Sequence, residues 1–109
     1  MKTKLSALLC FLALSISSSW GLEYRGVVAC GDWVKERKKD SVVNAAHQAI
    51  LVGVLSGIAL ATDKDFLRGT TNESLFLWVD NYCQKTPLEN IYMAGMHLSI
   101  ELQIKNKNK

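Results

Sequence analysis

The longest apolar run in the chain, Val42–Ala61 (VVNAAHQAILVGVLSGIALA), limits the fold more than any other stretch. Asn44, His47 and Gln48 stand at i, i+3 and i+4 and share one helical face, and from Ala49 onward only Ser56 interrupts the apolar residues. Asp40 or Ser41 offers a side chain to begin the helix. The pattern predicts one long helix, and a helix apolar all round belongs in the centre of a bundle. Gly53 and Gly57, four apart, would let a neighbouring helix approach closely. The same spacing in a membrane would suggest dimerisation, but three polar residues in the first two turns favour a soluble core helix. His47 is read as a half-exposed helix residue rather than a ligand or a base.

The start of the chain reads as an address. Met1-Lys2-Thr3-Lys4, an apolar run over Leu5–Ile16 and the small-residue exit Ser17-Ser18-Ser19 describe a secretory signal peptide, with cleavage expected after Ser19. The run is shorter than the roughly 20 residues of a membrane span, so no stable membrane anchor is expected. Loss of Lys2 and Lys4 reduces the basic residues from 13 to 11 against 10 acids, which lowers the net charge from +3 to +1. Three of those bases lie in the terminal Lys105-Asn106-Lys107-Asn108-Lys109, expected to be a disordered basic tail (105–109). The folded body is then near neutral, without the basic stripe of a nucleic-acid binder.

Cys10 is expected to depart with the signal, leaving Cys30 and Cys83 in an oxidising compartment. An even count there favours one structural disulfide. A metal site or a reactive thiol pair is the competing reading, but there is no CxxC, and neither cysteine has a His or Cys neighbour. The mature chain, residues 20–104 before the tail, is one domain of a size that usually wants extra support for its core.

Three further helices flank the apolar one. Gly31 or Asp32 can start a short helix through Lys39, with its bases in the last turn, where the helix dipole favours cations. Thr70 with Glu73 matches a capping box, although Thr71 could cap instead. From there Leu75, Val79 and Cys83 recur every four residues, so Cys83 points inward. Trp78 and Tyr82, also four apart, should pack on one another, and Asp80 should bond across a helix contact. Thr86-Pro87-Leu88-Glu89 combines a capping Thr, Pro at the first helical position and Glu three residues on, which predicts a fourth helix from Pro87. Leu88, Ile91, Tyr92, Gly95, Leu98 and Leu102 form its expected core stripe, and Met93, Met96, Ile100 and Ile104 form a second stripe beside it. Asn90, Ala94, His97 and Glu101 are left for water. The second stripe is either enclosed or an interface, and its methionines suit an adaptable contact. Between the second and third helices, Thr62–Thr71 is a charged loop closed by Gly69, with Phe66 and Leu67 tucked beneath Asp63, Lys64, Asp65 and Arg68. The expected fold is all-α: a compact bundle of about four helices with one disulfide.

No nucleophile-elbow, zinc-protease or phosphate-loop motif is present, and the two histidines lie on different helices. A non-enzymatic protein without cofactor or metal is expected. Val54-Leu55-Ser56-Gly57 on a helix, a Gly-containing loop, Leu77-Trp78-Val79-Asp80-Asn81-Tyr82-Cys83-x-x-x-Pro87-Leu88 and a final apolar helix together resemble the small secreted proteins grouped with amidase-immunity proteins. The resemblance covers roughly Cys30–Leu102. It implies a helical periplasmic protein that binds the peptidoglycan amidases injected through type VI secretion. That family often carries additional cysteines, whereas this chain keeps one mature pair. In size, helical fold and single disulfide the chain is also similar to a periplasmic acid-stress chaperone. The reading that follows is a periplasmic protein-binding module whose partner is an effector amidase or a second copy. Asp63, Lys64, Asp65 and Arg68 are its candidate binding residues, and Met93, Met96, Ile100 and Ile104 its candidate interface stripe. The alternatives are the stress chaperone and a small structural homodimer.

Overall fold

The computed structural model describes residues 25–108. The expected signal peptide, its cleavage after Ser19, Cys10 and Trp20 lie outside the described residues, as does Lys109. Four helices follow in order: α1 (Cys30–Arg37), α2 (Val42–Thr62), α3 (Asn72–Lys85) and α4 (Ile91–Lys107). No strand occurs among the described residues, and the fold is the all-α bundle expected, with Cys30 and Cys83 joined as a disulfide. The helices form a ring in which α1 packs on α3, α3 on α4, α4 on α2 and α2 on α1.

The core is built where these helices face one another. Trp33 of α1, Leu51 and Leu55 of α2, Phe76 and Val79 of α3, and Ile91, Ala94 and Leu98 of α4 are buried, with Phe66 entering from the loop after α2. Gly95 lies at a close contact of α4 with α2: a Cβ there would lie 3.1 Å from Val54 Cγ1, within the range where a neighbour must give way. Trp33 tilts against Phe76 at 6.1 Å, and Trp78 stacks on Tyr82 at 5.5 Å, the packing expected of that pair.

The helix ends explain several departures from the expected pattern. α1 starts one residue before its proposed caps: Ala29 precedes it without a side-chain cap, and the Cys30 amide donates instead to the Glu89 carbonyl at 2.9 Å. Ile91 N–H returns a bond to Val28 O at 3.0 Å, so the entrances of α1 and α4 are tied together. Ser41 caps α2, and Thr71, not Thr70, caps α3. Thr86 does not open α4. Its hydroxyl and its amide both donate to Tyr82 O, closing α3, and Glu89 N–H turns back to Thr86 O. Pro87 follows, and a residue before proline is disfavoured in helical geometry, so the chain makes a turn before Asn90 caps α4. Leu88, expected in the core, is fully exposed, whereas Ala94, expected to face water, is buried. α4 also continues through Lys107, so the basic end expected to be disordered is helical for Lys105–Lys107. Asn106 Nδ2 secures it by donating to Phe66 O at 3.3 Å.

The main correction concerns α2. Only Leu51 and Leu55 are fully buried, and 11% of its most apolar eighteen-residue window is covered. Among the described residues it is also the one helix long and apolar enough to cross a membrane. The expected central helix is instead a wall of the bundle. Its orientation has a local cause. Asn44, His47 and Gln48 fall on the same side as Leu51 and Leu55, at i, i+3, i+4, i+7 and i+11, and the three polar residues are half-buried. Asn44 Nδ2 donates to Lys39 O at 2.9 Å, which fastens the start of the helix to the turn after α1, and Gln48 Nε2 donates within the helix to Asn44 Oδ1 at 3.2 Å. The opposite side, turned to solvent, is apolar.

Candidate protein-binding surface

The loop between α2 and α3 takes its shape from three fixed points. Asp63 ends α2 in the left-handed region (φ 52°, ψ 43°), a conformation Asp tolerates better than most residues, and its amide is shared between Ala59 O and Leu60 O. Phe66 is buried, and Asn106 holds its carbonyl from α4. Gly69, at φ 79°, reverses the chain before Thr70 N–H and Oγ1 both donate to Leu67 O.

With Phe66 anchored, Asp63, Lys64, Asp65 and Arg68 are all exposed, as expected, and stand together around one end of the bundle. Arg68 Nε donates to Asp65 Oδ2 at 2.6 Å, but both side chains are largely in water (85% and 63% exposed), so the pair adds little to stability. Beside them lies a groove of about 250 Å³ lined by Lys64, Asp65, Phe66, Gln103, Asn106 and Lys107. Among the described residues no cluster of three His, Cys, Asp or Glu could hold a metal ion.

The second candidate, the stripe Met93, Met96, Ile100 and Ile104, lies on the outside of α4, each side chain 37% to 57% exposed. The structure therefore leaves it open. The sequence reading missed a further apolar surface: Val42, Ala46, Ala49, Gly53, Gly57 and Leu60 are all exposed along the outer side of α2. The signal was present in the Asn44, His47 and Gln48 face, had that face been placed inward. His47 itself is half-buried, and its Nδ1 is buried without a hydrogen-bond partner among the described residues.

A separate polar cluster is structural. Asp80 of α3 accepts from Trp33 Nε1 at 2.7 Å, Arg37 Nε at 2.7 Å and Arg37 Nη2 at 3.0 Å, bonding across the α1–α3 contact as expected. The Arg37 guanidinium also lies over the Trp33 and Phe76 rings, at 5.7 and 5.5 Å. Its hydrogen bonds to Asp80 raise the Arg37 pKa above its ordinary value, outweighing the opposing effect of partial burial.

Comparison of the chain with models of protein families, with curated proteins and with solved structures gives no match. The class that fold and surface define is a disulfide-pinned bundle of four helices with a charged loop at one end.

Proposed function

We propose that this chain is a non-enzymatic protein-binding module of the periplasm, and most concretely an inhibitor of a cell-wall amidase that blocks the enzyme's cleft with the 63–68 loop. The observation that carries this reading is the way the loop is displayed. Phe66 is buried and its carbonyl clamped by Asn106, so the four charged side chains around it are presented on a braced backbone. Such a loop loses little conformational freedom on docking, and preorganisation of that kind adds to affinity. The Cys30–Cys83 disulfide fits an oxidising compartment, and the resemblance over Cys30–Leu102 supplies the class of partner.

The test is a pull-down from periplasm with the oxidised protein, followed by peptidoglycan hydrolysis assays with any amidase captured. Inhibition by the wild type and its loss on combined reversal of Asp63, Asp65 and Arg68, with the thermal midpoint unchanged, are expected. Absence of binding or protection against any amidase encoded or encountered nearby would sink the proposal.

A further inference from the structure

We propose that the groove between α3 and α4 is a binding site for a free apolar α-amino acid, whose ammonium and carboxylate groups meet Glu101 and Lys105 while its side chain lies between Trp78 and a floor of leucines. The register of two antiparallel helices sets the groove. His97 of α4 meets the Tyr82 ring of α3 at 5.5 Å, and one turn on, Glu101 Oε2 accepts from Trp78 Nε1 at 2.8 Å. A further turn forward on α4 and backward on α3 brings Lys105 opposite Ser74, and both line a groove of about 250 Å³. It shares no lining residue with the groove beside the 63–68 loop.

Three kinds of wall meet there. The floor is apolar: Leu75 and Leu98 are 4% and 2% exposed, and Leu102 is half-buried. One end is aromatic. Trp78 stacks on Tyr82 at 5.5 Å, and the other α3 and loop residues of the groove, from Gly69 to Leu75, all precede Trp78, so the groove lies on the side of the indole away from Tyr82. The rim carries opposite charges. Glu101 precedes Lys105 by four residues, the order in which the two pair most readily on a helix. No ion pair joins them: Glu101 turns to the Trp78 indole, and Lys105 has no ion-pair partner among the described residues.

These walls select the occupant. A carboxylate and an ammonium that face one groove without pairing complement a ligand that carries both charges. The ligand ammonium fits between the Glu101 oxygen that the indole leaves unused and the indole face, which attracts a cation. The ligand carboxylate faces Lys105 and the Ser74 hydroxyl, which is itself hydrogen-bonded to Thr71 Oγ1 at 2.8 Å, and charge-assisted bonds of this kind are the strong ones. The volume lies below the roughly 300–1,000 Å³ of pockets for drug-sized ligands, which suits one amino acid. A neutral sugar would leave Lys105 without a partner, and a residue within a peptide has lost both charges.

The test titrates the oxidised protein, expressed from its full sequence, with L-phenylalanine up to about 10 mM. Proton–nitrogen correlation spectra follow the Trp78 indole N–H, whose signal is assigned by its loss in Trp78→Phe. A saturable shift with Kd of about 1 mM or below is expected, the range for a ligand of that size. Phenylalaninamide, without the carboxylate, and N-acetylphenylalanine, without the ammonium, should each bind at least about tenfold more weakly. In Lys105→Gln the carboxylate should cease to matter, so that phenylalanine and its amide bind alike. Glu101→Gln should do the same for phenylalanine and its N-acetyl form. Both positions are exposed, so the variants keep the fold, and Lys35→Gln on α1 should bind as the wild type does. Absence of a saturable shift overturns the proposal. So does equal binding of the three ligands, which would make the groove a plain apolar cleft, or tighter binding of N-acetylglucosamine than of phenylalanine, which would assign it to a saccharide.

Discussion

Asp80 joins two helices through a single carboxylate. It neutralises Arg37, satisfies the indole N–H of the buried Trp33, and keeps the guanidinium where it covers Trp33 and Phe76. Both members of the ion pair are about one-fifth exposed, so water compensates poorly when one is lost. Asp80→Asn keeps the shape but removes the charge, and should lower the free energy of unfolding by about 1–3 kcal/mol, the range for a charge-assisted bond in partial burial. Denaturant unfolding of the oxidised protein measures it, and a loss within error would show that the pair is neutral. The pH dependence has a definite sign. The Arg37 pKa is raised in the folded state, so its contribution is fully present below the ordinary arginine value and is lost only as pH rises through the higher folded one. Stability through the neutral range should therefore not vary on account of Arg37.

At the scale of an element, the junction of α3 and α4 shows how a strong local pattern can be put to another use. Thr86, Pro87 and Glu89 have the spacing of a helix start, but the Thr86 hydroxyl is already donated backward to Tyr82 O, and Asn90 Oδ1 accepts from Met93 N–H at 3.1 Å. Asn90→Ala should then cost about 1 kcal/mol as loss of a helix cap. Leu88→Ala, at a fully exposed position, should stay within about 0.5 kcal/mol. Thermal melts of the two variants compare them directly, and a larger loss for Leu88→Ala would restore Leu88 to the core.

For the whole molecule, the disulfide closes the ring. It joins the first residue of α1 to the inward face of α3 across a sequence separation of 53, with the Cα atoms 4.9 Å apart. Paired Cys30→Ser and Cys83→Ser substitutions should lower stability by about 2–4 kcal/mol, with loop-closure entropy the main contribution in the chain-entropy model. The fall in urea midpoint between the oxidised protein and the double variant gives the figure, and matching midpoints would show that helix packing alone holds α1 in place.

Much of this was legible in the residues themselves. The four-residue recurrence of Leu75, Val79 and Cys83, the stacking of Trp78 on Tyr82, the burial of Phe66 beneath an exposed charged loop and the pairing of Cys30 with Cys83 all follow from spacing, because helical periodicity and covalent chemistry act over short range or on few candidates. The sequence by itself determined that the chain would be helical, where most helices would run, and which cysteines would meet. Tertiary structure alone decided how α2 is rotated. A helix apolar on nearly every side carries almost no amphipathic signal to orient it, so the bond from Asn44 to Lys39 O, together with the close fit of Gly95 against Val54, favours the inward face. That choice turns Gly53, Gly57 and Leu60 outward, and makes what reads as a core helix an open apolar surface among the described residues.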